Sequence, residues 1–391
     1  MYQQQMFPPL LLFFQRVCHR WNYLMKTGCL WKFIDLGLLL PCFRHRFFPQ
    51  KQSLTLTFLE TYGGYATKEI HLLDFANNDI LQCVQDRCPN LEVIVLTLRL
   101  HHPKLDFSLL SSNLVSIDLR LPITGSSGEG TAISCFAEKP FSKLQYMFLQ
   151  GAKITEGLFR RLRYSRGLVH LRLHHCACLT EYNFQAMLKR LTLIEDLQLI
   201  SCRFPSVDIL EEILQIIANT FVNLQSFHFS SPYILGDIHF AQLDLDDFLE
   251  TISQHGKLRR IRLTSIFGFS SNAFTIFAKR LPHLSELCLA LCPDVTDEIV
   301  TTIATELVEL EILELRCRFI SDNGLKMLSY HPKVKTLNIA DTPNFSISTI
   351  IETVATLPEI THLTMSRMKG HKYCVEYLKK QKPDLKIFYQ L

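Results

Sequence analysis

Residues 284–297 read LSELCLALCPDVTD. Leu284, Leu287 and Leu289 take the first, fourth and sixth places, and the alternation of the last two puts both on one face of a strand. Cys292 follows eight residues after Leu284. Val295-Thr296-Asp297 then supplies an apolar residue, a hydroxyl and an acid, the order in which helices open. The six-residue phrase returns along the chain. Upstream it reads LEVIVL from Leu91, LVSIDL from Leu114, LQYMFL from Leu144, LVHLRL from Leu168, IEDLQL from Ile194, LQSFHF from Leu224 and LRRIRL from Leu258. Downstream it reads LEILEL from Leu310, VKTLNI from Val334, ITHLTM from Ile360 and a degraded LKIFYQ from Leu385. The intervals are 23, 30, 24, 26, 30, 34, 26, 26, 24, 26 and 25 residues. The apolar-hydroxyl-acid step recurs as Ile154-Thr155-Glu156, Leu179-Thr180-Glu181 and Ile320-Ser321-Asp322. Each unit is thus a short strand, a turn and a returning helix. One unit cannot bury its apolar edge alone, but a stack buries a continuous core.

The form L-x-x-L-x-L-x-x-C, then I/V-T/S-D/E, resembles the cysteine-containing leucine-rich repeats of F-box/leucine-rich-repeat proteins. Such repeats run about 20–29 residues, and eight of the eleven intervals lie inside that range. Cys176, Cys202 and Cys292 hold the cysteine place, while Ala152, Arg318 and Thr342 replace it. The resemblance implies an α/β fold: a leucine-rich-repeat solenoid (horseshoe) with parallel strands on the concave face and helices outside. It would occupy residues 37–391 in about 12 repeats, behind a small helical N-terminal cap at 1–36.

Within that cap stand Val17-Cys18-His19-Arg20-Trp21, Leu24, Leu30-Trp31 and Ile34-Asp35-Leu36. The run resembles the second half of an F-box. The resemblance implies that Val17, Cys18, Arg20, Trp21, Leu24, Leu30 and Trp31 bind a Skp-family adaptor and, through it, a cullin scaffold. The protein would then be the substrate-recognition subunit of an SCF-type ubiquitin ligase, itself without catalytic residues or cofactor. The same large side chains would also serve as plain packing anchors, since one buried Trp removes about 150–250 Å² from water. The segment MYQQQMFPPLLLFF does not match the Leu-Pro opening of an F-box. A second expectation follows: an adaptor-independent leucine-rich-repeat scaffold or inhibitor that binds a single protein partner.

Strand alternation also says which side chains are left for a partner. With the leucines inward, the central column of the opposite face reads Val95, Asp118, Phe148, Arg172, Gln198, His228, Arg262, Cys288, Glu314, Asn338 and Thr364. Flanking it are Tyr146, His170, His174, Asp196, Arg260, Glu286 and Arg316. Tyr146 and Phe148 are aromatic where water is expected. His170, Arg172 and His174 form a basic, titratable rung, with Arg260 and Arg262 as another. Glu286 and Glu314 supply the opposite sign, in a stretch from Pro282 to Leu315 with eight acids and no Lys or Arg. Aromatics and arginine are the usual anchors of protein interfaces. The expected partner-binding set is therefore Tyr146, Phe148, His170, Arg172, His174, His228, Arg260, Arg262, Glu286, Glu314 and Arg316.

Composition excludes other classes. The chain of 391 residues is 48% hydrophobic and 20% charged, which suits folding rather than disorder. A net charge of +4 is too mild to point to nucleic acid. The 13 cysteines are irregularly spaced and include no C-x-x-C pair, as reduced thiols of a cytosolic or nuclear protein would be. The apolar run Phe7–Phe14 is too short for a bilayer span and has no basic residue before it. No phosphate loop, zinc-protease or hydrolase motif occurs. His174-His175-Cys176-x-Cys178 is dense, but tetrahedral zinc draws its ligands from two segments and Cys176 already has a place in the repeat. The basic tail with Lys369, Lys372, Lys379, Lys380, Lys382 and Lys386 reads as a solvated last helix.

Overall fold

The computed structural model describes residues 19–26, 30–37, 48–73, 76–98, 104–123, 131–134, 141–177, 182–204, 206–231, 243–342, 345–367 and 370–390. Two compact units divide the chain, 1–193 and 194–391. Both are built of leucine-rich repeats, as the spacing of the phrases requires.

In the first unit the strands are β1 (Phe33–Asp35), β2 (Glu69–Leu73), β3 (Val93–Thr97), β4 (Lys104–Asp106), β5 (Ser116–Arg120), β6 (Thr131–Ser134), β7 (Tyr146–Gln150), β8 (Ala152–Ile154) and β9 (His170–His174). β1, β2, β3, β5, β7 and β9 lie side by side in that order, all parallel. The paired inward residues Ile94 and Leu96, Ile117 and Leu119, Met147 and Leu149, and Leu171 and Leu173 are buried. Each such side chain contributes about 1.5–3 kcal/mol when fully covered.

β1 and β2 precede the first phrase that the spacing reveals. Ile34 and Leu36, then Ile70 and Leu72, keep the fourth and sixth places of the phrase. The first place is held by Trp31 and by Thr67, both buried, so the leucine signal is lost while the packing survives. A second, three-stranded parallel sheet, β4-β6-β8, stands where the sequence reading expects only turns and helices. Its strands are three or four residues long and bury one large apolar side chain each, Leu105, Ile133 and Ile154, too little for a pattern. It also redirects a capping residue. Thr155 makes no side-chain bond to its own helix, Glu156–Leu162, but donates its hydroxyl to Ile133 O at 2.7 Å. Arg161 is buried there, donating to Phe107 O at 2.5 Å and Leu110 O at 3.1 Å, with Phe141 against its guanidinium.

The second unit holds β10 (Asp196–Ile200), β11 (Ser226–Ser230), β12 (Arg260–Thr264), β13 (Glu286–Ala290), β14 (Ile312–Arg316), β15 (Thr336–Asn338), β16 (His362–Ser366) and β17 (Lys386–Gln390). They are parallel and pair in sequence order. Between them run helices such as Val207–Thr220, whose buried Leu210, Ile213, Leu214 and Ile217 form one helical stripe.

The hydroxyl-acid step that opens the helices does more here than cap them. Ser321 caps its helix through the amide of Asn323, but Thr296, expected to do the same, makes no cap bond. Instead the acids reach into the next repeat. Asp246 accepts from the amide and hydroxyl of Ser270, each at 2.7 Å. Asp297 does so from Ser321, at 2.8 and 2.5 Å, and Asp322 accepts from the Ser346 amide at 2.8 Å. Burial works against the Asp322 charge, but the bonds from Ser346 and Thr349 hold its pKa below the usual carboxylate value. The helix ends are tied likewise. Three places before the phrase, His255 bonds Ala218 O, His331 bonds Leu307 O at 3.2 Å and Lys382 bonds Leu357 O at 2.6 Å. These groups satisfy carbonyls that a helix end leaves without intrahelical donors.

After the strand comes a left-handed residue, seven places beyond the phrase start: Gly151 and His175 in the first unit, Ser201, Ser265, Leu291 and Asp341 in the second. For a non-glycine residue this conformation costs about 1–2 kcal/mol. It is held because the amide continues the ladder, as from Ser265 to Ala290 O and from Leu291 to Arg316 O, both at 2.8 Å. The following residue then turns inward, and in this place Cys176 and Cys292 donate to Leu149 O and Leu263 O of the preceding repeat at 3.3 and 3.5 Å. In the repeat from Leu310 the left-handed step is missing. Cys317 fills the buried place one residue early, donating to Leu289 O at 3.1 Å, and Arg318, which spacing put at the cysteine position, is exposed.

A methyl group on Gly324 would lie 2.2 Å from Asp297 Oδ1. Gly324→Ala should therefore destabilise the protein by about 1–3 kcal/mol in urea unfolding, despite a helix-propensity gain of about 1 kcal/mol. An unchanged or raised midpoint would remove the Asp297–Ser321 tie from the account. His331 is buried, and burial lowers its pKa below the ordinary 6.5, the bond to Leu307 O opposing in part. The unfolded chain then binds more protons, so this contribution is complete above pH 6.5 and is lost as the pH falls through the lower folded value. Melting curves between pH 7.5 and 5 should show a smaller loss for His331→Gln than for the unaltered protein.

Candidate protein-interaction face

Register fixes which side chains share the open face. In the first unit Val95, Asp118, Phe148 and Arg172 are cross-strand partners in one row. In the second unit Gln198, His228, Arg262, Cys288, Glu314, Asn338 and Thr364 form another. These are the residues that strand alternation assigned to the central column.

On the first unit the face is a cluster of cations on aromatic rings. Asp118 is buried, and Arg120 clamps it with Nε to Oδ1 at 3.0 Å and Nη2 to Oδ2 at 2.8 Å. The same guanidinium lies 5.5 Å from the Phe148 ring centre, whose other neighbour is His174, edge-on at 4.8 Å. Arg172 sits 5.6 Å from the Tyr146 ring centre, and His170 lies 6.1 Å from the same ring. Burial and Asp118 raise the Tyr146 pKa, with Arg172 and Arg120 working the other way. The bond to Asp118 raises the Arg120 pKa above its ordinary value.

One expectation about this cluster fails. Phe148, counted as an exposed aromatic anchor, is only 8% exposed. Two long polar side chains, Arg120 and His174, lie against it and cover it, so it supports the face without offering surface. Tyr146, His170, Arg172 and His174 are half-buried and accessible.

On the second unit the expected bands of opposite charge are instead cross-paired. Arg262 bonds Glu286 on the next strand and reaches Glu314 at 3.5 Å. Glu314 also meets Arg316 at 3.5 Å, and Arg316 Nε donates to Asp341 at 3.1 Å. Burial works against the Arg262 and Arg316 charges, yet these acids hold both pKa values above the ordinary level. Cys288 lies within the network, 3% exposed; burial and then Glu314 push its thiol pKa far up, so it is no nucleophile. Arg260 is exposed and His228 half-buried.

Sequence reasoning passed over Arg120 and Asp341. Arg120 stands six residues after Leu114, the place of His174 and Arg316 in their repeats, so alignment of the phrases could have found it. Asp341 sits on the left-handed step, which no strand pattern marks.

At the N-terminus the adaptor-binding expectation meets a correction. Trp31 is 1% exposed, packed 5.4 Å from Phe58 and 5.0 Å from Tyr62, so it seals the first repeat and has no surface for an adaptor. Arg20, on the helix His19–Lys26, and Leu30 are exposed. Val17 and Cys18, and the side chains of Trp21 and Leu24, lie outside the described residues. Of the dense histidine-cysteine group, Cys176 is engaged with Leu149 O and His174 with Phe148, and Cys178 lies outside the described residues. No described helix is long and apolar enough to cross a membrane.

The ion network predicts unequal roles for two neighbouring arginines. Arg262→Ala leaves Glu286 and Glu314, both largely covered, without their shared cation. It should lower stability by about 1–2 kcal/mol, while Arg260→Ala stays within about 0.5 kcal/mol. Equal urea midpoints for the two variants would show the network to be energetically idle.

No family model matches the chain, and no curated protein matches it. Among solved structures, a chain from the crystal structure of the Rad7 and Elc1 complex in yeast is similar over 99% of this chain and 98% of that one. The TM-score is 0.54 at 13% sequence identity, a likeness of fold over the whole length.

Proposed function

We propose that this protein is a substrate-recognition subunit of an SCF-type ubiquitin ligase. Its repeats hold a protein substrate on the open strand face, and its N-terminal segment docks a Skp-family adaptor and so a cullin scaffold. The observation that carries the reading is the run from Val17 to Leu36. It resembles the second half of an F-box, and its last residues form β1, which pairs with β2 of the repeats. The exposed Arg20 and Leu30 are the described parts of that run available to an adaptor. Similarity to a chain crystallised in a two-protein complex is in keeping with a protein that works by binding others. The chain catalyses nothing in this reading; ubiquitin transfer belongs to partners, in the cytosol or nucleus.

One observation favours a second reading, an adaptor-independent scaffold or inhibitor. Trp31, the tryptophan of the F-box-like run whose side chain is described, is consumed in packing against Phe58 and Tyr62.

Pull-down with purified Skp adaptor separates the two. Stoichiometric capture, lost in Trp21→Ala and in the surface change Leu30→Asp, is the expected result. No capture by a chain whose circular dichroism shows it folded would leave the scaffold.

A further inference from the structure

In the second unit β11 to β16 each have a strand on both sides, but among the described residues β17 pairs only with β16. The parallel ladder fixes which groups that leaves. Lys386 N donates toward β16, to Thr361 O at 2.8 Å, so Lys386 and by alternation Phe388 turn their backbone groups to β16. The amides and carbonyls of Ile387 and Tyr389 therefore point away from the sheet. Their side chains are incompletely covered too. Leu363 and Met365, their partners on β16, are 0% exposed, whereas Ile387 and Tyr389 are half-buried. Phe388, stacked on His362, is 50% exposed. This end is also basic: residues 370–390 hold Lys372, Lys379, Lys380, Lys382 and Lys386 against Glu376 and Asp384. Lys382 is engaged with Leu357 O. Lys372, Lys379, Lys380 and Lys386 are exposed, and among the described residues no acid pairs with them.

We propose that the open edge of β17 binds an extended acidic segment of a partner protein, which adds a strand to the sheet. The backbone groups of Ile387 and Tyr389 supply the pairing, at the ordinary inter-strand spacing of about 4.8 Å. Alternation sets the pattern. Residues opposite Ile387 and Tyr389 are apolar and continue the core, the one opposite Phe388 lies on the open face, and an acid opposite Lys386 forms a cross-strand ion pair. Lys379 and Lys380, in the last turn of the helix His371–Gln381 that leads into β17, add positive charge for flanking acids. Charge selects among occupants. A second copy would set this basic end against its own like charge. Lysines along an edge also discourage pairing with strands at large, so an acidic one is favoured. A nucleic acid would meet the lysines, but it has no use for a row of backbone donors and acceptors or for the half-covered Ile387. The inference goes beyond the proposed recognition role and depends neither on adaptor docking nor on ligase assembly.

The test is fluorescence anisotropy of a labelled peptide, Glu-Glu-Val-Thr-Val-Glu-Glu, titrated with the full chain. The peptide reads the same in both directions, so either strand polarity can form. Binding with Kd below about 1 mM is expected, and the counterpart Lys-Lys-Val-Thr-Val-Lys-Lys should bind about tenfold or more weakly. Lys386→Glu should weaken the acidic peptide by about tenfold, the loss of one charge-assisted contact. Tyr389→Pro removes an amide that faces no strand of its own sheet. The chain should stay folded by circular dichroism while binding falls about tenfold or more, whereas Tyr389→Val, which keeps the amide, should bind as before. If Tyr389→Pro does not fold, Lys386→Glu decides. No binding of the acidic peptide, equal binding of the lysine peptide, undiminished binding by Lys386→Glu, equal binding by folded Pro and Val variants, or full competition by oligo(dT) would each overturn the proposal. So would a concentration-dependent dimer in sedimentation that Tyr389→Pro abolishes, since the edge would then serve a second copy.

Discussion

A five-residue strand carrying two inward apolar side chains cannot cover their sides, and its backbone amides and carbonyls point along the stack rather than within the repeat. Both needs are met only by a neighbour in register. Every regular feature of the two units serves that constraint. Strands pair parallel residue for residue, helices return so that the next strand can start, and the turns between them bond laterally. Several polar groups near the turns find their partner in the adjoining repeat: the thiols of Cys176, Cys292 and Cys317 on carbonyls of the strand before, His331 on the helix end before, Asp297 on the helix start after.

Such lateral ties explain how the repeat tolerates so much substitution. The stack asks for a donor near a given carbonyl, and a cysteine, a histidine or a lysine will serve. Cys317 makes the point most clearly, since it reaches its carbonyl from one position earlier than its counterparts by omitting the left-handed residue. Trp31 and Thr67 make it for the apolar side: each occupies a leucine place and each is buried. What is constrained is the space and the bond, more than the residue.

The same reasoning says what could be read in advance. The repeat, the strands from β3 onward and the membership of the open-face column are legible because period-two alternation and repeat length act on many residues at once. β1 and β2 were not legible because their first anchors are not aliphatic, and β4-β6-β8 because three-residue strands carry no period. Thr155 reads as a capping side chain because sequence marks a hydroxyl before a helix but not the competing acceptor, Ile133 O, in a neighbouring repeat. For the site, position could be read but exposure could not. Phe148 lies in the predicted row, yet Arg120, from an adjacent strand, covers it.

Pairing within the face decides what it can recognise. A row of alternating charges whose members already satisfy one another, as from Arg262 through Glu314 to Asp341, gains little by meeting a partner, because each new ion pair must first displace an old one. Its contribution is rigidity and the exclusion of partners with the wrong charge. Affinity has to come from groups that are held but incompletely used. Arg120 meets that condition: the structure fixes its position through Asp118 and Phe148 while one edge of its guanidinium remains for a ligand. The formal charge of a residue in the sequence is thus a poor guide to its part in binding. Glu286, chosen for its charge, is nearly enclosed by its own partner, whereas Arg120, which lies in no band of like charge, is the better-placed contact.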